Sequence, residues 1–344
     1  MSRYSNVKPF RFVVRPRMVP TLLQGTAFKT LRDLMPGIRQ TQKIEALQDD
    51  GKSIVLRFNG VTPEGNAIIA KVRQAGALDF ERNMYEEVLP HIPIRTLRYY
   101  GFVSEPDSQS DWLFIEDAGN RRYSPLFDAH CVLASQWLGL LHSHRPRAAV
   151  KWLLSRDRGL AYHGRALRLA RERMTNYLRR PLDKRHAPML DRVLCHFDLL
   201  ESRWRTVEQA CERIPQGIVH ADFKEGNIRI GRNHGSLVIL VCDWESAGWG
   251  VPIVDLAQFL ASDTSLSANP SLTAYWELVQ HRWPGFDIRE LEHVANLGTI
   301  WRALRGISWG AAWLEHEWVQ DGVNQIEWYL PIFREAIAKA GWKC

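Results

Sequence analysis

His220-Ala221-Asp222-Phe223-Lys224-Glu225-Gly226-Asn227, followed by Asp243-Trp244-Glu245, is the stretch on which the reading of this chain turns. Asp222 and Asn227 lie five residues apart on one loop, and Asp243 comes sixteen residues after Asn227. An ionised Asp can take the proton of a hydroxyl. An Asn amide oxygen and a second carboxylate are hard oxygen ligands of the kind Mg²⁺ prefers. That division of labour suits phosphoryl transfer, in which positioning and charge neutralisation dominate. The flanks agree with it. Residues 217–219 are a short apolar run feeding the loop, 227–230 read as a strand and 231–235 as a turn. A buried strand over 237–242 then ends on Asp243.

The same residues resemble the aminoglycoside phosphotransferase and choline kinase-like superfamily, small-molecule kinases built on the protein-kinase fold. Its pattern is a His-Gly-Asp loop ending in Gly-Asn, then Asp-Trp-Glu, then Gly-x-Pro-x-x-Asp-Leu-Ala. The last is present as Gly250-Val251-Pro252-Ile253-Val254-Asp255-Leu256-Ala257. The resemblance covers most of the chain and is most specific over 217–260. It implies an α+β, bilobal protein kinase-like fold. Residues 1–118 would form a β-rich N-lobe with the nucleotide-binding sheet and a helix. Residues 119–344 would form a larger, mostly helical C-lobe carrying the catalytic loop, metal site and substrate region. It implies Asp222 as catalytic base, Asn227 and Asp243 as Mg²⁺ ligands, ATP or GTP as donor, and Asp255 bonded to the loop backbone.

Two departures stand inside the loop. Ala221 replaces the Gly of the pattern, a change expected to be tolerated if the backbone angle there is ordinary. Lys224, two residues after the base, is placed to reach a γ-phosphate and stabilise transferring charge. His220 is expected to brace the loop. The Arg that precedes the base in regulated protein kinases is absent, and the segment from Asp243 to Asp255 is too short for a phosphorylated activation loop.

Upstream, a helix is expected over 21–34, stopped by Pro36-Gly37. Strands over 38–47, 53–58 and 67–72 then make a meander. Its Asp49-to-Lys52 turn, with Gly51 at the tip and Ser53 opening the next strand, would cover nucleotide phosphates. Gly51-Lys52-Ser53 imitates the end of a Walker loop, but position 46 is Ala and no helix follows. Lys71 interrupts an apolar strand, and a Lys there needs an anionic partner or solvent. By resemblance the partners are the α/β-phosphates and a Glu of the following helix, over 78–89. Glu81 is the best placed, with Glu86 and Glu87 as alternatives. A hairpin of 99–103 and 112–115 leads to Ile115-Glu116-Asp117-Ala118-Gly119, which looks like the linker between lobes. Its backbone around Glu116 and Ala118 would pair with the adenine edge.

The C-terminal half reads as helical. His142 ends a helix over 126–142 and is taken as a structural histidine. A second helix over 164–180 carries arginines on one side, read as a solvated face, and nucleic acid is not expected as a partner. Eight tryptophans follow residue 270, most of them expected in the core and one or two on an apolar substrate wall.

The 344 residues and 45% hydrophobic content suffice for two cored lobes, and no apolar run approaches membrane-spanning length. The basic start, Met1 to Arg17, lacks a secretory pattern. Five scattered cysteines, Cys131, Cys195, Cys211, Cys242 and Cys344, have no metal-ligand spacing. A cytoplasmic monomer or homodimer acting on a small hydroxylated substrate is expected. The function so read is an ATP- and Mg²⁺-dependent O-phosphotransferase acting on a small molecule, an antibiotic such as an aminoglycoside or nucleoside for resistance or self-protection. The alternatives are a choline, homoserine or sugar kinase, a protein kinase-like enzyme, and a non-enzymatic pseudokinase.

Overall fold

The computed structural model describes residues 21–343, apart from 42, 50–51, 106–108, 146–149, 181–184, 234, 258–269 and 284. The basic start, the Gly51 turn and Cys344 lie outside the described residues. In chain order, helix α1 (Thr21–Leu34) leads into strands β1 (Lys43–Asp49), β2 (Ser53–Asn59) and β3 (Ile68–Gln74). Helix α2 (Asp79–Asn83) and the hairpin β4 (Tyr99–Glu105) and β5 (Ser110–Glu116) follow. Next come α3 (Asp128–Ser143), α4 (Lys151–Leu154), the two-residue β6 (Asp157–Arg158), α5 (Leu160–Leu178), α6 (Ala187–Ser202) and α7 (Trp204–Glu212). Strand β7 (Gly217–Val219) precedes the hairpin β8 (Ile228–Asn233) and β9 (Ser236–Val241), then β10 (Gly248–Gly250) and α8 (Ile253–Leu256). Helices α9 (Pro270–Val279), α10 (Ile288–Trp313) and α11 (Val319–Lys339) end the chain.

The chain divides into two compact units. One holds the described residues up to Tyr123 together with Glu225–Glu245, and the other holds Ser124–Lys224 and Ser246 onward. The first is built on an antiparallel sheet in the order β1-β2-β3-β5-β4. Alternation along its strands sorts the side chains by face. Leu56, Phe58, Ile68, Ala70, Val72, Trp112 and Phe114 point to one face and bury themselves with Leu31 of α1. Lys71 and Arg73 fall between them in β3, on the opposite face.

Two sequence expectations need correction here. The first strand begins at Lys43 rather than at residue 38. The Ile38 N–H bonds Met35 O and the Arg39 N–H bonds Val61 O, so these residues are committed before pairing begins at Lys43 opposite Asn59. The expected helix over 78–89 is not one α-helix. It is α-helical over Asp79–Asn83, widens to a π-turn over Met84–Val88, and tightens to 3₁₀ over Leu89–His91. Pro90, with no N–H to donate, lies in that last turn.

The second unit is organised by α10, which packs against α5, α8, α9 and α11. A capping box starts α10: Asp287 Oδ1 accepts the Arg289 and Glu290 N–H groups, and Glu290 returns a carboxylate to the Asp287 N–H. Where α10 crosses α11 the backbones touch. A Cβ on Gly310 would lie 2.6 Å from Gly322 O, and one on Gly322 would lie 2.5 Å from Gly310 O. A small sheet in the order β6-β10-β7 sits in the same unit. The tryptophans divide differently from expectation. Trp283, Trp301 and Trp342 are buried, Trp318 is exposed, and Trp276, Trp309, Trp313 and Trp328 are intermediate. The arginines of α5 are largely paired: Arg165 with Asp157, Arg171 with Asp198 and Glu201, and Arg173 with Glu315. No helix among the described residues is long and apolar enough to cross a membrane.

Candidate active site

In the first unit the site grows from β3. Register sets Lys71 opposite Val55 of β2 and Leu113 of β5. Its Nζ lies 2.7 Å from Glu81 Oε2 of α2 and 2.7 Å from Asp243 Oδ1. Glu81, 2% exposed, also accepts the Trp244 N–H at 3.3 Å on its other oxygen. The alternative glutamates are placed elsewhere: Glu86 accepts from the Tyr99 hydroxyl and Glu87 is exposed. Burial alone would pull the Lys71 ammonium down, but the carboxylates of Glu81, Asp243 and Glu245 outweigh it and hold its pKa above the ordinary value. For Glu81 burial is the largest influence and holds its carboxyl above the usual range, against the pull of Lys71.

Hairpin β8–β9 supplies the other members. Ile228 pairs with Val241, and one step beyond, the Cys242 N–H donates to Asn227 O at 3.0 Å. Asn227 and Asp243 therefore emerge side by side at the open end of the hairpin. Asp243 has φ +68, a left-handed angle that Asp tolerates better than most residues. Burial pushes the Cys242 thiol between them up to about 12, so it stays protonated at neutral pH. One amide and one carboxylate oxygen at a hairpin end, beside a lysine, fit a hard divalent cation in chemistry and placement.

One charged residue was not singled out from the sequence. Arg73 pairs with Glu245, which also lies 3.9 Å from Lys71 Nζ. The i, i+2 spacing of Lys71 and Arg73 on one strand face was the available signal. Glu116 is occupied by Arg95 at 2.6 Å and by the Arg98 N–H at 2.9 Å. Asp117 is held by Arg57 at 2.8 Å. The backbone of Ala118 has no hydrogen-bond partner among the described residues. Ser53 is buried at the start of β2, opposite Arg73.

In the second unit β7 delivers the loop. Asp255 Oδ2 accepts the His220 N–H at 2.7 Å and its Oδ1 accepts the Ala221 N–H at 2.8 Å. A carboxylate only accepts, so His142 Nε2, 3.3 Å away, donates toward Asp255, and His142 Nδ1 lies 2.9 Å from the Tyr275 hydroxyl. His142 is thus the buried strut behind Asp255. His220 Nδ1 accepts the Asp222 N–H at 3.3 Å, and Phe223 stacks on Trp137 with centroids 5.5 Å apart. Lys224 Nζ lies 2.8 Å from Asp222 Oδ2.

The condition set for Ala221, an ordinary backbone angle, is not met. Its φ is +60, a conformation that costs an L-residue about 1–2 kcal/mol and glycine almost nothing. Glycine gives back about 0.5–1 kcal/mol in lost chain entropy. Ala221→Gly is therefore expected to stabilise by about 0.5–1 kcal/mol and to raise the melting temperature by roughly 1–3 °C. A lower melting temperature would show the strain to be relieved elsewhere.

His163 of α5 is buried against Trp301, with centroids 4.2 Å apart. Burial, then Arg305 and Arg158, hold its pKa well below the ordinary value. The folded protein keeps it neutral, whereas the unfolded chain takes up a proton below about pH 6.5. Stability is therefore full above that pH and falls below it, by up to about 1.4 kcal/mol per pH unit. Urea melts at pH 7.5 and 5.5 should show a loss about 1 kcal/mol larger for the wild type than for His163→Phe. Equal losses would rule the effect out.

A model of the phosphotransferase enzyme family matches residues 46–292. Among solved structures the chain is similar to choline kinase from Cryptosporidium parvum Iowa II, at 13% identity and TM-score 0.62, over 92% of this chain and 97% of that one. It is similar to Plasmodium vivax ethanolamine kinase at 17% identity and TM-score 0.58, over 89% and 86% of the two chains. It is also similar to wild-type aminoglycoside 2′-phosphotransferase-IIIa in its GDP complex, at 14% identity and TM-score 0.59, over 88% and 97%. No curated protein sequence matches. At these identities the structural likeness establishes the fold, which is the α+β protein kinase-like fold of small-molecule kinases.

Proposed function

Because the chain belongs to the phosphotransferase enzyme family, we propose that it moves the γ-phosphoryl group of ATP, with Mg²⁺, onto a hydroxyl of a small molecule. The observation that carries this reading is Lys71, an ammonium 2.7 Å from both Glu81 and Asp243 at the end of the hairpin that bears Asn227. Lys71 holds the α/β-phosphates, and Glu81 fixes its direction. Asn227 and Asp243 are the residues that hold the metal. When bound, Mg²⁺ supplies charge neutralisation on phosphate oxygens. The backbone around Ala118 offers an N–H and a C=O to a purine edge. The neighbour solved with GDP supports nucleotide use.

Asp222 orients the acceptor hydroxyl and takes its proton, with the loop held rigid through Asp255 and His142. Such rigidity matters because misplacement of about 1 Å can cost a hundredfold in rate. Lys224 pairs with Asp222 and supplies positive charge where the transferred group departs. Lys224→Ala is expected to lower kcat about a hundredfold while changing nucleotide affinity less than threefold. An unchanged kcat would remove Lys224 from the mechanism. The reading as a whole is tested by ADP release across hydroxylated antibiotics, amino alcohols, sugars and hydroxy acids, with Asp222→Asn as the blank. Release that no acceptor raises above that blank would overturn it.

A further inference from the structure

Around Asp222 the second unit gathers positive charge on an aromatic platform. Strand β10 pairs with β7 on one side and β6 on the other, which sets Gly248 beside Val219, one residue before His220. Gly248 has no side chain where Arg158 passes: a Cβ there would lie 2.7 Å from Arg158 Cγ. Arg158, 8% exposed, runs through that gap, and its Nε donates to Ser246 O at 2.6 Å. Its guanidinium lies 4.4 Å from the centre of the Tyr162 ring, and Arg305 of α10 lies 4.4 Å from the same ring. Arg305 also lies 5.0 Å from the Trp309 ring.

Neither guanidinium forms an ion pair with a carboxylate among the described residues; Arg158 Nη1 donates to Asp157 O at 2.9 Å, and Arg305 makes no hydrogen bond there. This arrangement is costly. Two like charges share one ring, and burial removes water from both. Burial lowers the pKa of each, and in Arg305 the charge of Arg158 lowers it further while Asp222 acts in the opposite sense. Buried charge is ordinarily paired. A guanidinium fork with unused donors beside a reactive carboxylate is complementary to a planar or tetrahedral anion. Lys224 next to Asp222 adds to the same sign. An amine or quaternary ammonium would meet two guanidinium cations on one ring.

We propose that the acceptor is an anionic alcohol, a hydroxylated carboxylate or phosphate ester held by Arg305 and Arg158 around Tyr162. The assignment rests on the phosphotransferase reading and narrows its acceptor.

Calorimetric titration of the full chain with gluconate, glycerol 3-phosphate, choline and kanamycin tests it. At least one of the two anions is expected to bind, more weakly as salt rises, with choline and kanamycin weaker than that anion. The better of gluconate and glycerol 3-phosphate identifies the carboxylate or the phosphate as the group read. Arg305→Gln should weaken the anion about tenfold or more, and Arg305→Lys should recover part of that loss. Thermal melts of both variants check folding. Tighter binding of choline or kanamycin, no binding of either anion, or unchanged anion affinity in a folded Arg305→Gln would overturn the proposal. ADP release under Mg-ATP in the same samples reports on the broader assignment separately. Anion binding without release would overturn phosphotransfer and leave the anion site standing. Release driven by choline or kanamycin and by neither anion would do the reverse.

Discussion

Asp222→Asn is expected to lower ADP release about a thousandfold while leaving Mg-ATP affinity within about threefold. The substitution is nearly isosteric. Its backbone N–H still donates to His220 Nδ1, and an amide oxygen can still accept from Lys224. What disappears is the ability to take a proton and the negative charge that draws the hydroxyl into line. Positioned bases contribute about 10²–10⁴ in rate, so a thousandfold loss corresponds to about 4 kcal/mol of barrier. Steady-state kinetics with the best acceptor, beside nucleotide titration, separate the two effects. A variant retaining more than a tenth of wild-type kcat would show that Asp222 is not the base.

The second large effect falls on stability. Lys71→Met keeps the length of the side chain and removes its charge, leaving Glu81 and Asp243 without the ammonium 2.7 Å from each. Breaking such a pair costs about 3–5 kcal/mol, because a buried carboxylate is left uncompensated. Glu81 escapes by taking up a proton, and its carboxyl already lies above the usual range. A group whose folded pKa is raised stabilises below its unfolded pKa, and that stability is lost as pH rises through the folded value. The deficit of Lys71→Met relative to wild type should therefore be largest near pH 8 and shrink toward pH 5. Adding Glu81→Leu should restore much of the stability and none of the activity. Urea melts across pH would decide it: a deficit under about 1 kcal/mol at pH 8 would mean the pair is not held as a buried charge.

Much of this architecture was legible because its signals are local. Asp222, Asn227 and Asp243 sit within one loop and one hairpin, and period-2 burial exposed Lys71 as the exception in β3. Glu81 was reachable because it lies near the start of the helix expected over 78–89, four residues from Tyr85 as in the kinases the chain resembles. Other features depend on pairings that leave no local trace. Arg158 belongs to a two-residue strand whose only recognisable property is its register with Gly250. Tyr162 and Arg305 reach it from different helices, so the platform has no motif. The left-handed angle of Ala221 follows from the two hydrogen bonds to Asp255 that its loop must satisfy, which composition does not reveal. The π-turn at Met84–Val88 likewise has no breaker residue within it.

The glycine crossing of α10 and α11 has an evolutionary consequence. Neither Gly310 nor Gly322 can gain a methyl group without prying two helix axes apart. Mutational drift along α10 is thereby channelled into the neighbouring stripe that holds Arg305 and Trp309, neither of which is fully buried. Descendants of this protein should diverge in acceptor preference by exchanging side chains on that stripe while the helix axis stays where its parent held it. Libraries randomised at these two positions, with both glycines fixed, would sample changes in selectivity on an unchanged scaffold.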